Sequence, residues 1–141
     1  MCVIQEKKKS IRVVLVEPGK RARETDLGTE LEDMQAAVGG DIEGLYPFDE
    51  QVCLVCNADG KRLCQPNRTL KDSTGHPYLV ICGSFFLCDA TGEYFGSLSD
   101  EQVECYLKMF EYPERIGRTN GRLIAVPFKT NGNTKTNREE R

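Results

Sequence analysis

The chain has 141 residues, 39% of them hydrophobic and 29% charged, with a formal net charge of −3. That is enough material for one domain and one core, within the composition of ordinary globular proteins. Apolar runs of a few residues fall far short of the roughly 20 a membrane span needs. The first ten residues hold no apolar stretch of signal-peptide length, so the expectation is a cytoplasmic protein, neither secreted nor membrane-bound.

Ile11–Val16 is rich in β-branched residues and apolar on nearly both faces, which predicts an interior strand. Pro18-Gly19 then marks a tight turn, and Arg21–Thr25 alternates weakly, as an edge strand returning from it. Leu27, Leu31, Met34 and Val38 recur at the spacing of one helical face. Thr29 with Glu32 has the pattern of a capping box, and Gly39-Gly40 supplies a left-handed stop. Asp41–Tyr46 and Glu50–Cys56 read as strands, with Ala58-Asp59-Gly60 as a hairpin turn towards Lys61–Cys64. Gln65–Pro77 is polar and irregular, the composition of an exposed loop. Tyr78–Cys82 and Phe85–Cys88 form one long apolar strand or a strand pair, with Gly83 at a bulge. The second helix has the clearest start: Ser99 and Gln102 form a capping box, and Leu98 and Val103 a hydrophobic staple. Its apolar face carries Val103, Tyr106, Leu107 and Phe110, and Pro113 ends it. Leu123–Val126 has the composition of one further strand. The order β-β-α-β-β-β-β-α predicts an α+β fold, a largely antiparallel sheet with two packed helices. The expected plan is a polar extension over 1–10, one domain over 11–128 and a disordered tail over 129–141.

The small net charge conceals an asymmetry. Residues 11–112 carry nine basic and eighteen acidic side chains, whereas residues 113–141 carry seven basic and three acidic. An acidic body disfavours nucleic acid and favours positively charged partners, although acidic surfaces also serve solubility alone. Seven cysteines, an odd number, argue against a fully paired disulfide framework. Without an export signal they are expected as reduced thiols, most of them buried as small hydrophobes.

Six stretches in order carry a resemblance: Glu17–Lys20, Met34–Glu43, Cys56–Lys61, Pro66–Arg68, Gly83–Phe86 and Ser97–Gln102. From about Ile11 to about Pro113 the chain resembles domain-of-unknown-function family 3846, small proteins of phages and conjugative elements of Gram-positive bacteria. Ser84 stands where such sequences often have Thr. The resemblance implies a small accessory protein of a mobile element and brings no catalytic residue or cofactor with it.

Several constellations bear on chemistry. Cys53-x-x-Cys56 with Cys64 and His76 has a metal-like composition, but on a strand the two thiols of the motif point to opposite faces. His76 reads as an exposed loop residue, and no known nucleophile or phosphate-loop motif is present. Neither metal nor cofactor is therefore expected. Arg68, in a Pro-Asn-Arg loop, either grips a phosphate or carboxylate or pairs with an acidic residue of the body, and the structural reading is favoured. Glu30, Glu32 and Asp33 crowd the first turn of a helix, where its dipole already explains acidic side chains.

The expected function is that of a non-catalytic accessory protein of a phage or mobile element that binds a host protein. In its sharpest form it is a counter-defence inhibitor of a CRISPR or restriction nuclease, its acidic surface imitating phosphates. The candidate binding residues are Glu30, Glu32, Asp33, Asp41, Glu43, Asn67 and Arg68. The alternative is a small nucleotide- or nucleic-acid-binding regulatory module using Lys61, Arg68 and the basic ends.

Overall fold

Strand β1 (Ser10–Val16) sends alternate side chains to opposite sides, and both sides are covered. Val14 and Val16 enter one hydrophobic cluster, Ile11 and Val13 a second. The same division runs through β4 (Val52–Asn57), where Leu54 and Cys56 face the first cluster and Cys53 and Val55 the second. It recurs in β7 (Phe85–Asp89), with Leu87 against Cys88. These three strands lie side by side at the centre of a five-stranded antiparallel sheet of order β2-β1-β7-β4-β3. The edges are β2 (Arg23–Gly28) and β3 (Ile42–Leu45). A sheet covered on both faces needs strands apolar on both, which is why the central segments read as continuous apolar runs. The protein is thus α+β with a largely antiparallel sheet. The computed structural model describes residues 9–129, so the extension before Lys9 and the tail after Lys129 lie outside the described residues.

One face carries α1 (Leu31–Val38), which seats Met34 and Val38 on it. The other face carries α3 (Asp100–Met109), through Val103, Tyr106 and Phe110. The α3 start is as expected. Ser99 Oγ accepts from the Gln102 amide at 3.1 Å, and Gln102 Oε1 accepts from the Ser99 amide at 2.9 Å. Arg12 fastens this helix to the sheet by donating from Nη2 to the Leu98 carbonyl at 2.8 Å and pairing with Asp100 at 2.7 Å.

The structure departs from the sequence reading in five places. Leu27 belongs to β2, and α1 begins at Leu31 after Glu30, with Asp33 Oδ2 accepting the Glu30 amide. The apolar period ran one turn too far because the Leu27 side chain meets the same cluster from a strand. Residues Gly60–Leu63 form a short helix, α2, where a hairpin turn was expected. The expected loop 65–77 is largely strand: β5 (Pro66–Lys71) pairs antiparallel with β6 (Pro77–Cys82) as a separate hairpin. Strands β6 and β7 are not partners, since Gly83 at φ +84° turns the chain from the hairpin into the central sheet. Finally, β8 (Glu114–Thr119) joins β9 (Arg122–Pro127) through Asn120 and Gly121, both at positive φ, in a two-residue hairpin turn. No helix among the described residues is long and apolar enough to cross a membrane.

Candidate functional site

Arg68 is fully buried. It sits in β5, and its guanidinium is spent on carbonyl oxygens of three segments. Nε and Nη2 donate to Phe110 O at 3.1 and 3.0 Å, Nη2 to Lys20 O at 2.6 Å, and Nη1 to Asn67 Oδ1 at 2.7 Å. Asn67, equally buried, donates from Nδ2 to Val16 O and Gly83 O at 3.0 and 2.9 Å. Burial pushes the Arg68 pKa down to about 10, opposed by the nearby Glu114, so it remains charged at neutral pH. The pair ties β5 to the β1–β2 turn, the end of α3 and the Gly83 bend. It is a structural clasp, with carbonyl partners where a carboxylate was expected, and it leaves no face for a ligand.

The five acidic candidates are brought together only in part. Glu30 and Glu32 are exposed at the start of α1, and the half-buried Asp33 completes the cap. Asp41 lies past the other end of the helix, where Oδ1 accepts from Gln35 Nε2 at 3.3 Å. Eight helical residues rise about 12 Å, so the two groups stand apart. Glu43, on edge strand β3, borders a different cleft of about 380 Å³ shared with Lys61, Arg62 and Cys82.

At the α1 start lies an open groove of about 800 Å³. Its floor is Ile11 and Met34, buried members of the cluster beneath α1. Its walls are Leu31, the first helical residue, and Tyr94 with Phe95. Leu31 is 55% exposed and Tyr94 81%. The loop bearing both aromatics is pinned at its base: Asp89 and Gly96 exchange two backbone hydrogen bonds of 2.9 Å, and Asp89 Oδ2 accepts from the Thr91 amide and hydroxyl. The base of that loop is therefore fixed by backbone pairing. Glu30, Glu32 and Glu93 are exposed and neighbour Thr29, Leu31 and Tyr94 in the chain without lining the groove, and Lys9 is the charged residue in its lining. Sequence reasoning found the carboxylates but missed Tyr94 and Phe95. An aromatic pair between Gly92 and Gly96 in a polar stretch was the available signal.

The cysteines follow the faces of their strands. Cys53 and Cys56 belong to clusters on opposite sides of the sheet. Among the described residues no three His, Cys, Asp or Glu side chains are grouped to hold a metal. His76 lies in the β5–β6 turn, its Nδ1 2.7 Å from Thr74 Oγ1, and Asp72 accepts from the His76 and Thr74 amides. Burial raises the thiol pKa of Cys53 and Cys88, and that of Cys56 to about 11. The thiolate is the reacting species, so iodoacetamide at mildly alkaline pH should alkylate exposed Cys105 first among the described thiols. Cys53 and Cys88 should react last. Peptide mass spectrometry showing Cys88 modified as fast as Cys105 would mean that the covered face of the sheet opens.

An antiparallel sheet sandwiched between one helix and a helix-plus-hairpin layer, with a groove at one helix start, defines a small α+β domain. The chain belongs to the family described as Domain of unknown function (DUF3846), whose model matches residues 11–111. No curated protein and no solved structure matches it.

Proposed function

We propose that this chain is a non-catalytic binding protein whose groove beside α1 receives a basic segment of a partner protein. An apolar side chain of that segment enters between Leu31 and Tyr94, and its cations meet Glu30 and Glu32. The observation that carries the reading is the pair of large exposed apolar walls, Leu31 and Tyr94, each next in the chain to exposed glutamates, Glu30, Glu32 and Glu93. Apolar anchors supply binding energy, and a charged rim supplies steering and choice of partner. The acidic excess over residues 11–112 extends the same field across the body. On a phage or other mobile element the partner would be a host protein. A CRISPR or restriction nuclease, with a cationic DNA-binding surface, has the fitting chemistry. Asp41 and Glu43 are outside this groove and contribute only to the general field.

The test uses a fluorescent Lys/Arg-rich peptide with one Phe or Leu anchor, followed by anisotropy. Binding should weaken steeply between low and physiological salt. Leu31→Asp should abolish it, and the double substitution Glu30→Gln, Glu32→Gln should flatten its salt dependence. Equal affinity in wild-type and Leu31→Asp protein would sink the proposal.

A further inference from the structure

The β8–β9 hairpin lies outside the residues that the family model matches. Its register gives it two unlike faces. Ile116, Leu123 and Ala125 share the inward face and are half-buried. Arg115, Gly117, Thr119, Arg122, Ile124 and Val126 share the other face, and every one is exposed. Ile124 and Val126 are 40% and 55% exposed.

The exposed charge of the ribbon is basic. Arg115 and Arg122 stand on the exposed face, Arg118 is exposed on the side of its register partner Leu123, and Lys129 follows the ribbon. The only carboxylate of the two strands, Glu114, is turned inward with its side chain 6% exposed. It accepts from the Thr69 amide and hydroxyl at 3.0 and 2.7 Å and pairs with Lys71 at 3.0 Å. The guanidinium groups of Arg118 and Arg122, on either side of the Asn120-Gly121 turn, make no hydrogen bond or ion pair among the described residues. Arg115 is held over the Phe128 ring at 5.2 Å, and the Phe128 amide donates to Pro113 O at 2.8 Å, closing the base of the ribbon.

We infer that the exposed face of β8–β9 is a binding site for duplex DNA, with Arg122 at the turn and Arg115 towards the base contacting phosphates. A two-stranded ribbon is a shape the B-form major groove admits. The four-residue step from Arg115 to the Thr119–Arg122 pair spans about 13 Å, close to the roughly 12 Å width of that groove. Arginine forks match phosphate geometry. Ile124 and Val126 lie between the cations, where apolar contact with base methyls and sugars is available. The acidic body repels the same ligand, which confines contact to the ribbon and makes affinity strongly salt-dependent. This site is separate from the groove beside α1, and either proposal can fail alone.

The experiment is a titration of the full chain into a labelled duplex DNA of mixed sequence, at low and at physiological salt, with a duplex RNA of equal length alongside. Saturable binding to DNA is expected at low salt, with the RNA much weaker because its major groove is too narrow and deep for side chains to read. Arg115→Ala with Arg122→Ala should weaken binding at least about tenfold and lower the salt slope by about two. Both residues are exposed, so circular dichroism should be unchanged, and Lys61→Ala with Arg62→Ala on α2 serves as the charge-matched control. No binding to DNA at low salt overturns the inference. So does equal binding of the RNA, or equal loss in the Lys61→Ala, Arg62→Ala control.

Discussion

Arg68→Met should destabilise the domain by about 3–5 kcal/mol, a large part of what a small domain has. The methionine fills much of the volume but donates nothing. Phe110 O and Lys20 O, and Asn67 Oδ1, then lose the donors the guanidinium supplied in the interior. Each buried acceptor left without a partner costs about 1–3 kcal/mol. Arg68→Lys should recover little, because one ammonium at the end of a flexible stem cannot serve three oxygens lying in different directions. Urea unfolding measures both variants, and a loss below about 1 kcal/mol for Arg68→Met would show that the clasp is dispensable.

Phe110→Ala should cost about 3–5 kcal/mol, the usual range for emptying a buried aromatic site. Phe110 is 2% exposed and meets Phe85 edge-on, ring centroids 5.2 Å apart. Its carbonyl is the one that takes two donors from Arg68. Loosening the end of α3 therefore loosens the clasp, and the double variant Arg68→Met, Phe110→Ala should lose clearly less than the sum of the singles. Leu107, which the helical period placed on the same face, is only half-buried against the core, so Leu107→Ala should cost less than Phe110→Ala. Additive losses, or a larger cost at Leu107, would contradict this packing.

What was legible in the sequence follows from where side chains find their partners. Strands β1, β4 and β7 announce themselves because burial on both faces leaves an unbroken apolar run. The start of α3 is legible because Ser99 and Gln102 satisfy each other's backbone groups within one turn. Strand β5 is not, because Asn67, Arg68 and Thr69 are polar yet buried. Their partners are Val16, Gly83, Lys20, Phe110 and Glu114, all distant in sequence. Composition reads such a segment as an exposed loop. The β8–β9 hairpin carried a local signal, Asn120-Gly121 between β-type residues, but its many charges obscured it. In the candidate site, Glu30 and Glu32 were found from charge alone. The groove at the start of α1 needed the loop of Tyr94 and Phe95 to be brought beside Leu31, which the pairing of Asp89 with Gly96 reveals.

The most direct measurement of the central claim maps the bound surface by amide and methyl chemical shifts, during titration of the anchored basic peptide into labelled protein. The largest changes should fall on Ile11, Leu31, Met34, Tyr94 and Phe95, around one groove, with Arg118 and Arg122 undisturbed. Shifts concentrated at Asp41 and Glu43, or scattered over every acidic residue of the body, would contradict a specific groove and leave only a diffuse negative field.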